Sequence, residues 1–237
     1  MGATPDGTKE LIAVVDGYRE SELSWKEILL GLQARGLMHA PELAIGDGAL
    51  GFWKALGQVF PGTREQRCTV HKTANVLNKM PKSVQPQAKN LLNEIWRAPT
   101  KEAAEKAFDL FEKTFDAKYE AAVKCLTKDR DVLLTFFDFP ADNWCHIRTT
   151  NPIESTFATI RLRHRKTKGN GSAKASLTMM FKLAQSASKG WRKLRGHHHI
   201  PDLIQGVKFV NGVNENHINQ EDTQTSPNRT IQTEIVA

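Results

Sequence analysis

From the N-terminus to His71 the apolar pattern alternates between two periods, and this alternation restricts the start of the chain to an α/β arrangement. "KELIAVVDG" (9–17) is a short run rich in isoleucine and valine, bracketed by Asp6-Gly7 and Asp16-Gly17, and it reads as a buried strand. From Ser21 to Arg35 the apolar residues Leu23, Trp25, Ile28, Leu29 and Leu32 recur at helical spacing, with Gly36 as the stop. "PELAIGDG" then reads as a second strand and "REQRCTV" as a third. Between them a helix over 49–60 lines up Ala49, Trp53, Leu56 and Phe60. Strand, helix, strand, helix, strand is the order of a sheet covered by helices.

After His71 the strand signal stops. Segments 72–80, 83–97, 101–115, 118–127 and 129–138 read as helices separated by Pro, Lys or Asp breaks, and the block has the character of a helical insertion. Helices over about 151–166 and 173–192 return the chain to the first unit, the second with Leu177, Met180, Phe181, Ala184 and Ala187 as its stripe. Beyond Asn211 the sequence is rich in Asn, Gln and Thr and has no aromatic residue. Such a segment cannot offset its ordering entropy by burial and is expected to be a disordered tail. No internal repeat is present. Trp96 and Trp144 fall in the helical block, where packing is the default role for such large side chains.

Lys and Arg number 33 against 26 Asp and Glu, a net charge of +7, which favours a polyanionic partner such as nucleic acid. Cys68, Cys125 and Cys145 are an odd, scattered set, pointing away from a disulfide framework and towards a reducing cytoplasm. No apolar run approaches the ~20 residues of a membrane span, and the polar turn "MGATPDGTKE" does not resemble a targeting segment. The expectation is a soluble, cytoplasmic protein with no membrane partner.

Two carboxylates carry the functional argument. In "RTTNPIESTFATIRLRHRKTKGNG" (148–171), Asn151-Pro152 is a helix start, which makes Glu154 the third helical residue. There it suits a capping box and the positive end of the helix dipole. It also shares a face with Arg161, Arg165 and Lys168, within about 40° of one line at 3.6 residues per turn. Phe157 and Ala158 stand at i+3 and i+4, so no basic neighbour on its own helix neutralises it. A carboxylate in that position, ahead of the basic residues Arg161, Arg163, Arg165, Lys166 and Lys168, suits a metal ion beside a phosphate backbone; a solvated helix face is the plain alternative. Asp47 closes the strand "ELAIGD", at the carboxyl edge where α/β sheets collect ligands, and it equally suits the cap of the next helix. Asp16 reads as a turn residue ahead of a capped helix.

"GYRESELSWKEILLGLQARGL", "LAIGDGALGFWKALGQVFPGTREQRCTVHKTANVLNKMPKSVQPQAK" and "FDFPADNWCHIRTTNPIESTFATIRLRHRKTKG" closely resemble Mutator-type bacterial insertion-sequence transposases, over about residues 1 to 213. The resemblance implies a ribonuclease-H-like mixed sheet with helices, interrupted by an all-helical insertion. It divides the chain into a first part of the core (1–72), the insertion (73–147), C-terminal helices completing the core (148–210) and the tail (211–237). It implies an Asp-Asp-Glu set binding two Mg²⁺ (or Mn²⁺) ions, with Asp47 as the second Asp and Glu154 as the Glu, the helical insertion falling between them. Cys68 and His71 of "RCTVH" match the family's C-x2-H element. With no second pair at suitable spacing they are expected to shape a strand end near the carboxylates rather than to hold a structural zinc.

The family's first Asp stands on a strand upstream of the hairpin that "GATPDGTKELIAVV" completes, so a core lacking that strand, that Asp and the inverted-repeat-binding region is expected. The implied function is a transposase cutting and joining DNA ends, nucleoid-associated, with double-stranded DNA, the element's terminal inverted repeats and target DNA as partners, acting as a homo-oligomer. The alternatives are a catalytically inactive DNA-binding remnant and a nuclease of the same fold with no role in transposition.

Overall fold

A computed structural model of the chain describes residues 1–15, 21–166 and 172–216. It begins with a two-residue ladder, β1 (Gly2–Ala3) antiparallel to β2 (Lys9–Glu10), closed by a turn in which Gly7 adopts φ +81°. The strand predicted over 9–17 therefore ends at Glu10. Residues 11–15 have no ladder partner among the described residues, and the Ile12 carbonyl accepts instead from Arg35 Nη1 at 3.1 Å. An apolar run extends as a strand only where a neighbouring backbone takes its hydrogen bonds.

Helix α1 (Glu22–Ala34) starts at Ser21, whose hydroxyl accepts from the Ser24 amide, and stops before Gly36 at φ +108°. It packs on α2 (Leu50–Val59), Leu29 joining Trp53, Ala55, Leu56 and Phe60 in a small core while Trp25 meets Phe52 edge-on at 5.0 Å. Helix α2 is the crossover between β3 (Leu43–Gly46) and β4 (Arg64–Arg67), which pair in parallel from Leu43↔Arg64 to Gly46↔Arg67. Side chains alternate along β3: Leu43 and Ile45 pack on the large helical core, Ala44 on the small one. This βαβ unit thus lies between two apolar clusters.

The predicted helical block is helical, with shifted boundaries. It comprises α3 (Thr69–Leu77), α4 (Gln85–Arg97), α5 (Lys101–Thr127), α6 (Arg130–Leu133), short 3-10 turns at Thr135–Asp138 and Ala141–Asn143, and α7 (Trp144–Ile147). The helices predicted over 101–115 and 118–127 are one helix kinked at Tyr119, which leaves helical geometry at φ −133° and ψ 42°. Here lies the main core, with Leu92, Ile95, Phe108, Phe111, Leu126, Phe136 and Phe137 fully enclosed. Trp96 and Trp144 pack into it, their indole N–H groups donating to Thr73 Oγ1 (2.9 Å) and the Phe139 carbonyl (2.8 Å).

Two buried polar contacts tie this core to the βαβ unit. Gln66 on β4 donates to the Leu133 carbonyl (3.1 Å) and accepts from the Phe136 amide (2.8 Å), which satisfies its side-chain amide away from water. Lys72 on α3 pairs with Asp129 and donates to the Cys125 carbonyl at 2.8 Å.

Helices α8 (Asn151–Lys166) and α9 (Ala173–Ser188) follow, the latter shorter than the predicted 173–192. A 3-10 turn at His197–His199, α10 (Ile200–Ile204) and a hairpin of β5 (Phe209–Val210) with β6 (Val213–Asn214) complete the described chain. Ordered backbone therefore continues past residue 210, where the sequence pattern predicts the start of a tail. The hairpin turn, Asn211 at φ 49° and Gly212 at φ 82°, is seated on the helical block. The Gly212 carbonyl accepts from the Ala141 amide (3.1 Å), its amide donates to the Phe137 carbonyl (3.0 Å), and a Cβ on it would come within 2.6 Å of Ala141 Cβ. Residues 217–237 lie outside the described residues.

The class is mixed α/β, mainly helical. Among the described residues the strands form three separate two-stranded ladders rather than one mixed sheet, and no helix is long and apolar enough to cross a membrane.

Candidate active site

Parallel strands leave their sheet in the same direction, so whatever follows β3 and β4 emerges at one edge. The Gly46 carbonyl at the end of β3 accepts from the Cys68 amide at 2.7 Å, which brings the residue after each strand to adjacent positions. Asp47 follows β3. Its backbone carbonyl is pinned by Trp53 Nε1 (3.1 Å) and Arg67 Nη1 (2.8 Å), with the Arg67 guanidinium stacked 4.8 Å over the Trp53 ring. Its exposed side chain uses one oxygen to accept from the Ala49 amide at 3.1 Å, a local turn bond ahead of α2. The second oxygen has no partner among the described residues. Asp47 is thus not the cap of α2, whose N-cap is Ala49; it makes a turn bond to that residue from the carboxyl edge of the strand pair.

Cys68 follows β4, is 1% exposed and stands at the N-cap of α3; His71 lies in that helix's first turn. Thr69 fastens the same helix end to a distant segment, its amide and hydroxyl both donating to the Arg148 carbonyl at 3.0 and 3.1 Å. That attachment delivers Thr150, which touches three groups. Its amide and Oγ1 each lie 3.3 Å from Cys68 Sγ, its Oγ1 lies 3.4 Å from His71 Nδ1, and its hydroxyl donates to Glu154 Oε1 at 2.7 Å. Glu154 Oε1 in turn stands 3.5 Å from His71 Nε2.

Helix α8 begins at Asn151 itself, the residue predicted to cap it, so Glu154 is its fourth residue and its amide bonds to the Thr150 carbonyl at 3.1 Å. The carboxylate reaches the Thr150 hydroxyl and the His71 imidazole of another helix, where a capping box would direct it to its own backbone. The geometry thus assigns Glu154 to a tertiary cluster. One ligand atom each from Cys68, His71 and Glu154 lie within 4.8 Å of one another. Asp47 is not in that group; it occupies the neighbouring strand end. A second group, Asp142 with His198 and His199, forms where the C-terminal segment passes the 3-10 turn before α7.

Of the predicted basic row, Arg161 and Arg165 are exposed on α8 and pair with no acid among the described residues. The side chains of Arg163 and Lys166, and Lys168 and Asp16 entirely, lie outside the described residues. Sequence reasoning missed Thr150 as the hub, because nothing in its spacing marks a hydroxyl that bridges positions 68, 71 and 154. It also missed Arg67, whose clamp on Asp47 depends on strand pairing.

Residues 1–193 match the family model described as "Transposase, Mutator family". The chain is 53% identical over 226 residues to the transposase for insertion sequence element IST2 of Acidithiobacillus ferrooxidans, covering 95% of this chain and 76% of that protein. It is 51% identical over 212 residues to the transposase for IS6120 of Mycolicibacterium smegmatis, covering 90% of this chain and 65% of that protein. With the transposase for IS905 of Lactococcus lactis it shares 30% identity over 166 residues, 70% of this chain and 42% of the relative. The chain thus spans about two thirds of the second relative's length and less than half of the third's.

Proposed function

Because this chain belongs to the Mutator family of transposases, we propose that it acts on the DNA ends of an insertion element, with Asp47 and Glu154 as carboxylates that hold Mg²⁺ or Mn²⁺ at the site of strand cleavage and joining. One observation carries the reading. The two acids, remote from one another in sequence, flank adjacent ends of the parallel pair β3–β4, Asp47 directly after β3 and Glu154 joined through Thr150 to Cys68 directly after β4. A ribonuclease-H-like core belongs to this proposal, supported by the parallel βαβ unit with Asp47 at its carboxyl edge and by the helical block that separates Asp47 from Glu154 in sequence.

The donor chemistry fits. Asp47 keeps a carboxylate oxygen without a partner among the described residues, Glu154 is half-exposed, and hard oxygen ligands that leave room for water and phosphate are what Mg²⁺ takes. When bound, such ions polarise the phosphoryl group and activate water or a 3′-hydroxyl. The chain's own residues position that chemistry: Arg67 and Trp53 fix the backbone at Asp47, and Thr150 orients the Glu154 carboxylate by direct donation. Arg161, on the helical face of Glu154, and Arg165 beyond it would take phosphates of the same strand. Terminal inverted repeats and target DNA as substrates, assembly as a homo-oligomer and association with the nucleoid belong to this proposal.

The test is nicking of a duplex carrying the element's own inverted repeat, in Mg²⁺ or Mn²⁺, by the chain and its Asp47→Asn variant. Cleavage that stops with chelator and with Asp47→Asn supports the reading, and undiminished cleavage by Asp47→Asn overturns it. Salt-sensitive binding without any nicking selects the alternative, a DNA-binding chain that does not cut, which the exposed Arg161 and Arg165 favour. A double Arg161→Ala, Arg165→Ala variant is expected to lower the slope of log K against log[salt] by about 2, roughly 0.9 for each phosphate no longer neutralised. An unchanged slope would remove these two residues from the DNA interface.

A further inference from the structure

We propose that Cys68, His71 and Glu154 form a binding site for a single thiophilic divalent cation of the Zn²⁺ class, a chemistry distinct from the Mg²⁺ role proposed above. Ligand atoms of the three residues lie within 4.8 Å of one another, and the His71 Nε2 to Glu154 Oε1 separation is 3.5 Å. A tetrahedral zinc with bonds of about 2.0–2.3 Å holds its ligand atoms roughly 3.3–3.8 Å apart, so the imidazole and carboxylate already stand at bonding separation and only a small closure remains.

The hydrogen bonds around Thr150 point the same way. The Thr150 Oγ1 lies 2.7 Å from Glu154 Oε1, 3.3 Å from Cys68 Sγ and 3.4 Å from His71 Nδ1, so one hydroxyl touches all three candidate ligands. The other ring nitrogen, Nε2, faces the same carboxylate oxygen 3.5 Å away. The Thr150 amide meanwhile donates to Cys68 Sγ at 3.3 Å. One residue therefore contacts all three candidate ligands, the kind of supporting hydrogen-bond partner that metal-binding histidines and carboxylates take.

Access and selectivity follow from burial and donor type. Cys68 is 1% exposed, whereas the side chains of His71 and Glu154 are 40% and 45% exposed, which leaves a solvent side for ion entry and for a water as fourth ligand. A thiolate, an imidazole and a carboxylate select Zn²⁺ and its softer relatives over Mg²⁺. The sequence pattern predicts no structural zinc because no second Cys or His pair stands at suitable spacing. The fold supplies Glu154 instead as third ligand, from beyond the whole helical block. Since Glu154 is shared with the proposed cleavage centre, a bound Zn²⁺ would compete with that use of the carboxylate.

The probe is Co²⁺, titrated into the chelator-treated full chain and followed by its sulfur-to-metal charge-transfer and tetrahedral d–d absorption. One equivalent should bind, be displaced by Zn²⁺ and resist excess Mg²⁺. The charge-transfer band should disappear in Cys68→Ser and persist in Cys125→Ser and Cys145→Ser. Because Cys68 is buried and its replacement could unfold the chain, His71→Ala provides the second test, expected to weaken Co²⁺ by at least tenfold with the circular dichroism unchanged. Thr150→Val should cost about 10–100-fold in Co²⁺ affinity and Thr150→Ser should restore it. No charge-transfer band in the folded chain, a band that survives Cys68→Ser, or unchanged affinity in folded His71→Ala would overturn the site. The two proposals fail separately: Glu154→Gln that stops DNA cleavage yet leaves Co²⁺ affinity intact removes this site alone, and the converse result removes the cleavage role alone.

Discussion

Replacing Glu154 by Gln is expected to abolish metal-dependent strand cleavage, by on the order of 10³-fold or more, while the chain stays folded. A metal ligand at the reacting phosphate contributes several kcal/mol of charge stabilisation, and each 1.36 kcal/mol is about tenfold in rate. Glutamine preserves the volume of the side chain and still offers an oxygen to the Thr150 hydroxyl, so the start of α8 keeps its local bond. What it removes is the negative charge. Thermal unfolding within about 2 °C of the parent, as for a half-exposed site outside the core, together with loss of nicking, is the expected pair of results. Retained nicking by a folded Glu154→Gln chain would dismiss the carboxylate from the chemistry.

The largest stability effect is expected from Phe108→Ala. Phe108 on α5 is fully enclosed in the helical core, meets Trp96 edge-on at 5.9 Å and has the Arg130 guanidinium 5.3 Å from its ring centre. Truncating such a ring loses its transfer free energy and leaves a cavity that the surrounding side chains fill only in part, about 3–5 kcal/mol in all. For a chain of this size that lowers the melting temperature on the order of 10 °C. Arg130 is held independently by Asp109 at 2.7 Å, so the loss would report the cavity rather than a freed charge. Calorimetry or denaturant unfolding measures it, and a change below about 1 kcal/mol, the size of an ordinary surface effect, would mean that this block is not the main stabilising core.

The expected disparity between these two variants follows from how the molecule is divided. Helices α4 and α5 with the turns after α6 hold most of the enclosed aromatic side chains, whereas the proposed chemistry sits at the edge of a short parallel pair. Its carboxylates are exposed or half-exposed, and polar fastenings hold the strand ends beneath them: Gln66 to Leu133 and Phe136, Thr69 to Arg148, and Lys72 to Asp129. Those contacts seat the strand ends on the rigid block, which is what a site needs if its ligands are to hold their geometry.

Much of the local structure was legible in the sequence. Apolar spacing locates α1, α2 and the βαβ unit closely, because a face that must be buried imposes its own period. Asn151-Pro152 likewise marks the start of α8, although the residue before the first helical position is Thr150. Errors arose where a partner elsewhere in the chain decides the outcome. Residues 11–15 have strand composition but find no ladder among the described residues, the 101–127 region runs through a kink instead of breaking, and Asn211-Gly212 is a hairpin turn fastened to Phe137 and Ala141 instead of the start of a tail.

The sequence by itself determined most of the helices and the βαβ unit, and which side chains could do chemistry: the acids at 47 and 154, the thiol and imidazole at 68 and 71, and the basic residues that follow Glu154. These follow from residue type and short-range periodicity, which act over a few residues. Only the tertiary structure decided that Glu154 meets Cys68 and His71 through Thr150, and that Asp47 keeps one oxygen unpartnered among the described residues at the next strand end. Those relations depend on strand pairing and on one attachment, Thr69 to Arg148, between distant segments of the chain. Contacts of that kind leave no trace in local pattern, because their free energy is gained only when the whole core has assembled.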